Sequence, residues 1–304
     1  MSNDIDRKIL EELRKDSCQS IKTLAKSLGA TENTVRRRID LMESSGDLLF
    51  TVLPNLKKLG FPIRAYILLH VNHLHLNDIS NQLCKMPCLR FVSHCIGFAD
   101  LYARGDFTSL ESMSDFIHDE LGTISGISKI DTKLVCKELK REYRYIMTSP
   151  QEFQRVNIGI DKIDYDIISS LQKNARATLK ELSDKIGVSD ATIHRHIINL
   201  VNSGTIEFRA IPSGPAIGFV AESFIGIQTE LPKTTTVAKT LTQYPQVRYV
   251  GYTTGPIQIL SGVHASSTEN LSEFVTKELI RIKGITGIET LTYMKVLKQT
   301  FTWI

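Results

Sequence analysis

Residues Leu24–Leu48 read LAKSLGATENTVRRRIDLMESSGDL. Two helical periods meet here across a break. Ile21, Leu24 and Leu28 recur at helical spacing after the capping candidate Ser20, Gly29 supplies a tight turn, and Val35, Ile39 and Met42 mark one apolar face of a next helix that Thr31 can cap. Upstream, Ile5, Ile9 and Leu13 give a first helix, and downstream Leu48–Leu53 is extended up to Pro54. Residues 1–54 therefore describe a winged helix-turn-helix, in which the later helix enters the DNA major groove. With Val35 and Ile39 inward, Asn33, Arg36, Arg37 and Asp40 point outward, where guanidinium groups can grip phosphate or take guanine in a bidentate fashion. The candidate DNA-contacting set is Thr31, Asn33, Thr34, Arg36, Arg37 and Arg38. Acidic and basic residues balance over this segment, so binding would depend on local clustering of arginines.

The same pattern returns later in the chain. Sliding the sequence along itself until Ile5 meets Ile163 aligns everything through Ile146 and Ile304 without a gap. The second copy repeats the helices through Ile163, Ile167 and Leu171, then Leu179, Leu182 and Ile186, then Gly187, Ser189, Ile193, Ile197 and Leu200. Its matching DNA-contact candidates are Ser189, Thr192, His194, Arg195 and His196, of which Arg195 alone keeps a fixed charge. Copy one is thus the expected stronger reader, and histidines would give copy two a dependence on mild acidification.

After each helical part the period changes. Ala65–Val71, Leu89–Cys95, Leu101–Asp106 and Ile127–Leu139 read as strands, with helices over Leu76–Met86 and Leu110–Leu121, in the order βαββαβ. The fold class is α+β: two copies of a winged helix-turn-helix followed by a ferredoxin-like βαββαβ domain. The expected boundaries are 1–54, 62–146, a linker at 147–160, 161–212 and 220–304. Ala65, Ile67 and Leu69 alternate with Tyr66 and Leu68, so this strand is apolar on both faces. Helices cover one face; a second sheet, around Phe224, Ile225 and Ile227, is the simplest cover for the other.

The 304 residues, 42% hydrophobic and 23% charged, exclude a disordered or fibrous chain. The apolar run Ala65–Val71 is far short of a membrane span, no export signal is visible, and a cytoplasmic protein without membrane contacts is expected. The net charge of +4 permits a polyanionic partner without demanding one. Five cysteines, all in the first half, do not form a disulfide scaffold. Cys84, Cys88, Cys95 and His94 lack counterparts in copy two and contain no C-x-x-C pair, and His70, His73 and His75 meet Gln228, Leu231 and Lys233 there, so no metal is expected. Asp4 and Asp6 suit the first helix dipole. Without a nucleotide-binding glycine loop or a hydrolase triad, no cofactor and no enzyme activity are expected.

Three segments, DIDRKILEELRKD (Asp4–Asp16), the stretch quoted at the outset and TVLPNLKKLGF (Thr51–Phe61), together with the βαββαβ order, make the chain resemble the Lrp/AsnC, or feast/famine, transcriptional regulators. The resemblance implies a sequence-specific regulator of double-stranded DNA whose α+β domains self-associate sheet to sheet and bind a small effector, an amino acid or related metabolite. Members of the family usually carry a G-x-x-D turn near the effector. Copy one has Gly97-Phe98-Ala99-Asp100 and copy two Gly255-Pro256-Ile257-Gln258. Together with His94 and Tyr252 on the preceding strands, Gly97, Asp100, Gly255 and Gln258 are the effector-site candidates. Asp100 could receive an amino group, or serve only as a turn residue. The alternative is a sirohaem-decarboxylase-like enzyme of haem biosynthesis, which shares this two-part architecture; His94 lies in a comparable strand, whereas the aromatic-rich strand associated with that enzyme is absent from Leu101–Gly105.

Overall fold

The computed structural model describes residues 4–143, 146–148 and 159–300. Helices α1 (Asp4–Lys15), α2 (Ile21–Leu28) and α3 (Glu32–Ser44) form the first helical unit. Ser20 and Thr31 cap α2 and α3 by accepting the backbone N–H of Thr23 and Thr34, and Gly29 ends α2 in the left-handed region at φ +62°. Ile9, Leu13, Leu24, Val35, Ile39 and Met42 close the core between the three helices.

Strand β1 (Leu48–Pro54) follows. The α+β part of the first module comprises β2 (Ile63–Val71), α4 (Leu76–Lys85), β3 (Leu89–Gly97), β4 (Leu101–Phe107), α5 (Leu110–Asp115), β5 (Ile127–Tyr143) and the short β6 (Ile146–Thr148). The helix expected over Leu110–Leu121 continues past α5 as a π turn and a 3₁₀ turn, which still bury Phe116 and Leu121. The second module repeats the series. Its elements are α6 (Lys162–Lys173), α7 (Leu179–Ile186), α8 (Asp190–Asn202), β7 (Ile206–Pro212), β8 (Ala221–Thr229), α9 (Thr234–Gln243), β9 (Val247–Thr253), β10 (Ile259–Ala265), α10 (Thr268–Glu273) and β11 (Ile285–Gln299). Of the expected linker 147–160, residues 149–158 lie outside the described residues.

The two expected wings are one structure. β1 and β7 pair antiparallel with each other, and Thr51 sits opposite Arg209, its own counterpart in the repeat. The ribbon is shared because each strand finishes the other module's core: Val52 packs into the second helical unit with Ile167, Leu171 and Ile193, while Ala210 packs into the first with Ile9 and Ile39.

Each α+β part forms a sheet with α4 and α5, or α9 and α10, on one face. The long strands join the two sheets. β5 pairs with β2 up to Leu134 and with β9 from Val135; β11 pairs with β8 up to Thr292 and with β3 from Leu291. These ladders are also related by the repeat, since Val135 opposite Thr253 matches Tyr293 opposite Cys95. Because β2 pairs with β5, the nine-stranded order β2-β4-β3-β11-β8-β10-β9-β5-β6 among the described residues closes on itself, with β6 appended.

Inside this ring the faces left open by the helices meet, as the two-faced apolarity of β2 predicts. Tyr66, Leu68, Phe91, Tyr102, Phe224, Leu260 and Leu291 form the shared core. The Phe224 ring lies 5.1 Å from both Tyr66 and Tyr102. Ile225 and Ile227, an odd number of residues from Phe224, fall instead on the opposite, helix-covered face of β8. One mouth of the ring holds an ion-pair chain from Asp106 to Arg64 (2.7 Å), Arg64 to Glu138 (3.4 Å) and Glu138 to Arg141 (3.1 Å). The matching place in the second module holds His264 and Glu222 at 3.4 Å, so the internal symmetry of the backbone is not kept by the side chains.

Candidate nucleic-acid interface and ligand turn

On α3, Asn33, Arg36, Arg37 and Asp40 are exposed, opposite the buried Val35, Ile39 and Met42. Thr31 and Thr34 stand at its N-terminus with hydroxyls 2.9 Å apart, and the Thr31 hydroxyl accepts the Thr34 N–H, so both remain at the presenting end of the helix while capping it. α8 repeats the arrangement with Ser189 and Thr192. Its exposed residues include His194, Arg195 and Ile198.

Arg38 requires correction. It does not join Arg36 and Arg37 but turns back to α1, where its Nε donates to Asp6 Oδ1 (2.6 Å) and its Nη2 to Asp6 Oδ2. Asp6 is buried, so the guanidinium neutralises a carboxylate that would otherwise lie uncompensated between helices. His196 is corrected in the same way: its Nδ1 lies 2.8 Å from Oδ1 of the buried Asp164. Asp4, by contrast, stays on the surface of α1 and pairs with Arg7 and Lys8.

The imidazole of His196 and the carboxylates of Asp161 and Asp164 bring ligand atoms within 4.8 Å of one another, the closest approach to a metal-ligand set among the described residues. Three of the four carboxylate oxygens already hold hydrogen-bond partners, Asp164 Oδ1 through His196. Asp161 Oδ1 accepts the Asp164 N–H (2.8 Å) and Asp164 Oδ2 accepts the Asp161 N–H (3.2 Å), a capping box that starts α6.

The two G-x-x-(D/Q) turns join β3 to β4 and β9 to β10. Asp100 Oδ2 accepts the Val71 N–H at 2.9 Å; Gln258 Oε1 accepts the N–H of Thr229, the counterpart of Val71, at 2.8 Å. Both side chains therefore perform the same turn-closing task. They differ in the remaining valence. Gln258 Nε2 donates to the carbonyls of Gly255 and Pro256, which closes that turn on itself, whereas Asp100 Oδ1 faces His73 Nε2 at 3.5 Å and Oδ2 faces His70 Nδ1 at 3.9 Å.

The glycines also differ. Gly97, at φ +134°, abuts β11 so closely that a Cβ would lie 2.0 Å from the Thr290 carbonyl oxygen; its freedom serves strand packing rather than a ligand's approach. Gly255, at φ +92°, has open space around the same position. His94 faces α4, where Nε2 lies 2.8 Å from the Ser80 hydroxyl, and burial followed by the charge of Lys295 holds its pKa below the ordinary value. Tyr252 packs against the helix-side core of its own module. Neither belongs to the turn beside it.

Sequence reading passed over Ile198, although the spacing of Ile193 and Leu200 already places it outward. It also missed Asp6 and Asp164 as helix ties; the available signal was an acid in α1 or α6 and a basic residue in α3 or α8 at matching places in both copies.

No described helix is long and apolar enough to cross a membrane. Residues 3–43 match the AsnC-type helix-turn-helix domain, and residues 160–207 a winged helix-turn-helix DNA-binding model. The HTH-type transcriptional regulator FL11 of Pyrococcus horikoshii is 33% identical over 147 residues, which are 48% of this chain and 96% of that protein. FL11 of Pyrococcus furiosus is 34% identical over 142 residues, 46% of this chain and 93% of that one. Each of these relatives thus corresponds to about half of the present chain. Among solved structures, the sirohaem decarboxylase NirDL covers 98% of this chain and 93% of its own at a TM-score of 0.68 and 15% identity, a likeness of fold. The Lrp/AsnC ligand binding domain matches twice, at residues 64–145 and 222–303, more than half of the sequence, and the chain belongs to the Lrp/AsnC family as a tandem duplication.

Proposed function

We propose that the protein is a transcriptional regulator that binds double-stranded DNA through α3 and α8 and responds to a small effector, an amino acid or related metabolite. The observation that carries this reading is the pairing of two helix-turn-helix units on one ribbon, each presenting an exposed arginine, Arg37 or Arg195, opposite its buried face. Symmetry-related recognition helices are the arrangement that engages two half-sites of a duplex. Footprinting on the DNA flanking the protein's own coding region tests it: a protected stretch is expected, and Arg36/Arg37 double alanine should abolish it. Equal protection by wild type and variant would refute the assignment.

For the effector, Asp100 is the favoured contact among the turn residues, because Oδ1 accepts no backbone bond and stands at a half-exposed edge where an ammonium group can approach. Calorimetry with the common amino acids, followed by DNA titration in their presence, checks this. Heat from at least one amino acid and a changed DNA affinity are expected; neither signal with any of them would remove the effector reading. The sirohaem-decarboxylase alternative predicts tight binding of an iron tetrapyrrole and a coloured complex, against which the regulator reading predicts none.

A further inference from the structure

α3 and α8 share a frame and present different chemistry. At 100° per residue, the positions most nearly opposite Val35, Ile39 and Met42 are Asn33, Arg37, Asp40 and Ser44. The corresponding stripe of α8 is Ala191, Arg195, Ile198 and Asn202, opposite Ile193 and Leu200. All eight side chains are exposed. The arginine is retained, the amide of Asn33 gives way to the methyl of Ala191, and the carboxylate of Asp40 gives way to an isoleucine that remains 43% exposed.

Two further observations bear on what meets these stripes. First, the exposed charge of the helices differs less than their composition implies, because Arg38 and His196 are both consumed by buried acids. Second, one chain supplies both helices: Thr51 faces its own counterpart Arg209 in the ribbon, and every pair of the β5–β9 ladder has its counterpart in the β11–β3 ladder. An α3 stripe is therefore paired with an α8 stripe inside every molecule.

In the major groove an arginine fork matches guanine O6 and N7, asparagine matches adenine, a carboxylate accepts from cytosine N4, and aliphatic groups contact the thymine methyl. Resting on the regulator reading above, we infer that Asn33, Arg37 and Asp40 on one side and Ala191, Arg195 and Ile198 on the other specify a non-palindromic site, with Ile198 and Ala191 reading thymine methyls next to the guanine contacted by Arg195. A palindrome would place a thymine methyl against Asp40, where a desolvated carboxylate finds no donor, or a cytosine amino group against Ile198, where it finds no acceptor.

Selection of duplexes from a randomised library, using the full chain, tests this. Wild type should enrich an asymmetric site with thymines in one half only. Ile198→Asp should lower the preference for those thymines by about tenfold or more while leaving the other half unchanged, and Asp40→Ile should introduce thymines into the opposite half. Both positions are exposed, so unchanged thermal melting of the variants excludes a folding effect. A palindromic wild-type site, or thymine preference surviving Ile198→Asp, overturns the inference while leaving DNA binding intact. Failure of every form to enrich any duplex overturns the regulator reading and this inference with it.

Discussion

Arg37 and Arg38 are chain neighbours with opposite roles. Arg37 lies in the exposed stripe of α3, and Arg38 anchors α3 to α1 through both oxygens of the buried Asp6. Arg38→Ala strands that carboxylate and is expected to cost about 2–3 kcal/mol of stability, read as a fall in the urea midpoint. Arg37→Ala should leave the midpoint unchanged and weaken DNA binding by about 1–3 kcal/mol, read by titration. Equal midpoints for the two variants would refute the division. The sequence shows that Arg36 and Arg37 leave the apolar face, but position 38 lies at its margin, where helical spacing alone does not decide direction. Asp100 poses the same difficulty, since a side-chain oxygen that closes a turn and one that receives a ligand leave the same letter in the sequence. Gln258 carries an amide where Asp100 carries a carboxylate, yet both side chains accept the equivalent strand N–H.

At the scale of elements, the ribbon of β1 and β7 decides how independent the modules are. The extended character of both strands is legible from β-branched and apolar residues before Pro54 and Pro212, but their mutual pairing is not, because a local pattern does not name its partner. Val52 illustrates the consequence. It belongs to the first module and is completely buried in the helical core of the second, beside Ile167, Ile168 and Leu171. Val52→Ala should therefore cost about 2 kcal/mol, with the loss felt across the module boundary. Hydrogen exchange is expected to quicken at the amides of α6 more than at those of α1. Quickening confined to α1–α3 would contradict the crossed packing.

For the whole molecule, the ring of strands is fastened unequally on two opposite sides of one mouth. Burial alone would raise the Glu138 carboxyl, but the guanidinium groups of Arg141 and Arg64 outweigh it and hold its pKa below the ordinary value. A carboxyl whose folded pKa is depressed contributes its stability fully above the unfolded value of about 4.3 and loses it as pH falls through the folded pKa. Glu138→Gln should thus be less stable than wild type near pH 7, and the gap should close as pH drops below about 4. Urea midpoints measured across this range check it, and a constant gap would exclude Glu138 as the cause. The matching Val296 of the second module cannot carry this titration.

The closed ring also predicts what half of the chain does alone. Residues 1–146 would expose the inner face of their sheet, where Tyr66, Leu68 and Tyr102 are now buried against Phe224 and Leu260. They would also leave the far half of β5 and the edge of β3 without the ladders that β9 and β11 supply. A second copy can restore both, because Val135 opposite Thr253 and Tyr293 opposite Cys95 are equivalent pairs, so Val135 of one copy can take its place opposite Cys95 of another. Relatives of half this length match a single module. Residues 1–146 are accordingly expected to sediment as a dimer with nearly the mass of the intact chain, in equilibrium with unfolded monomer at low concentration. A folded monomer of undiminished stability would show that the inner faces do not hold the modules together.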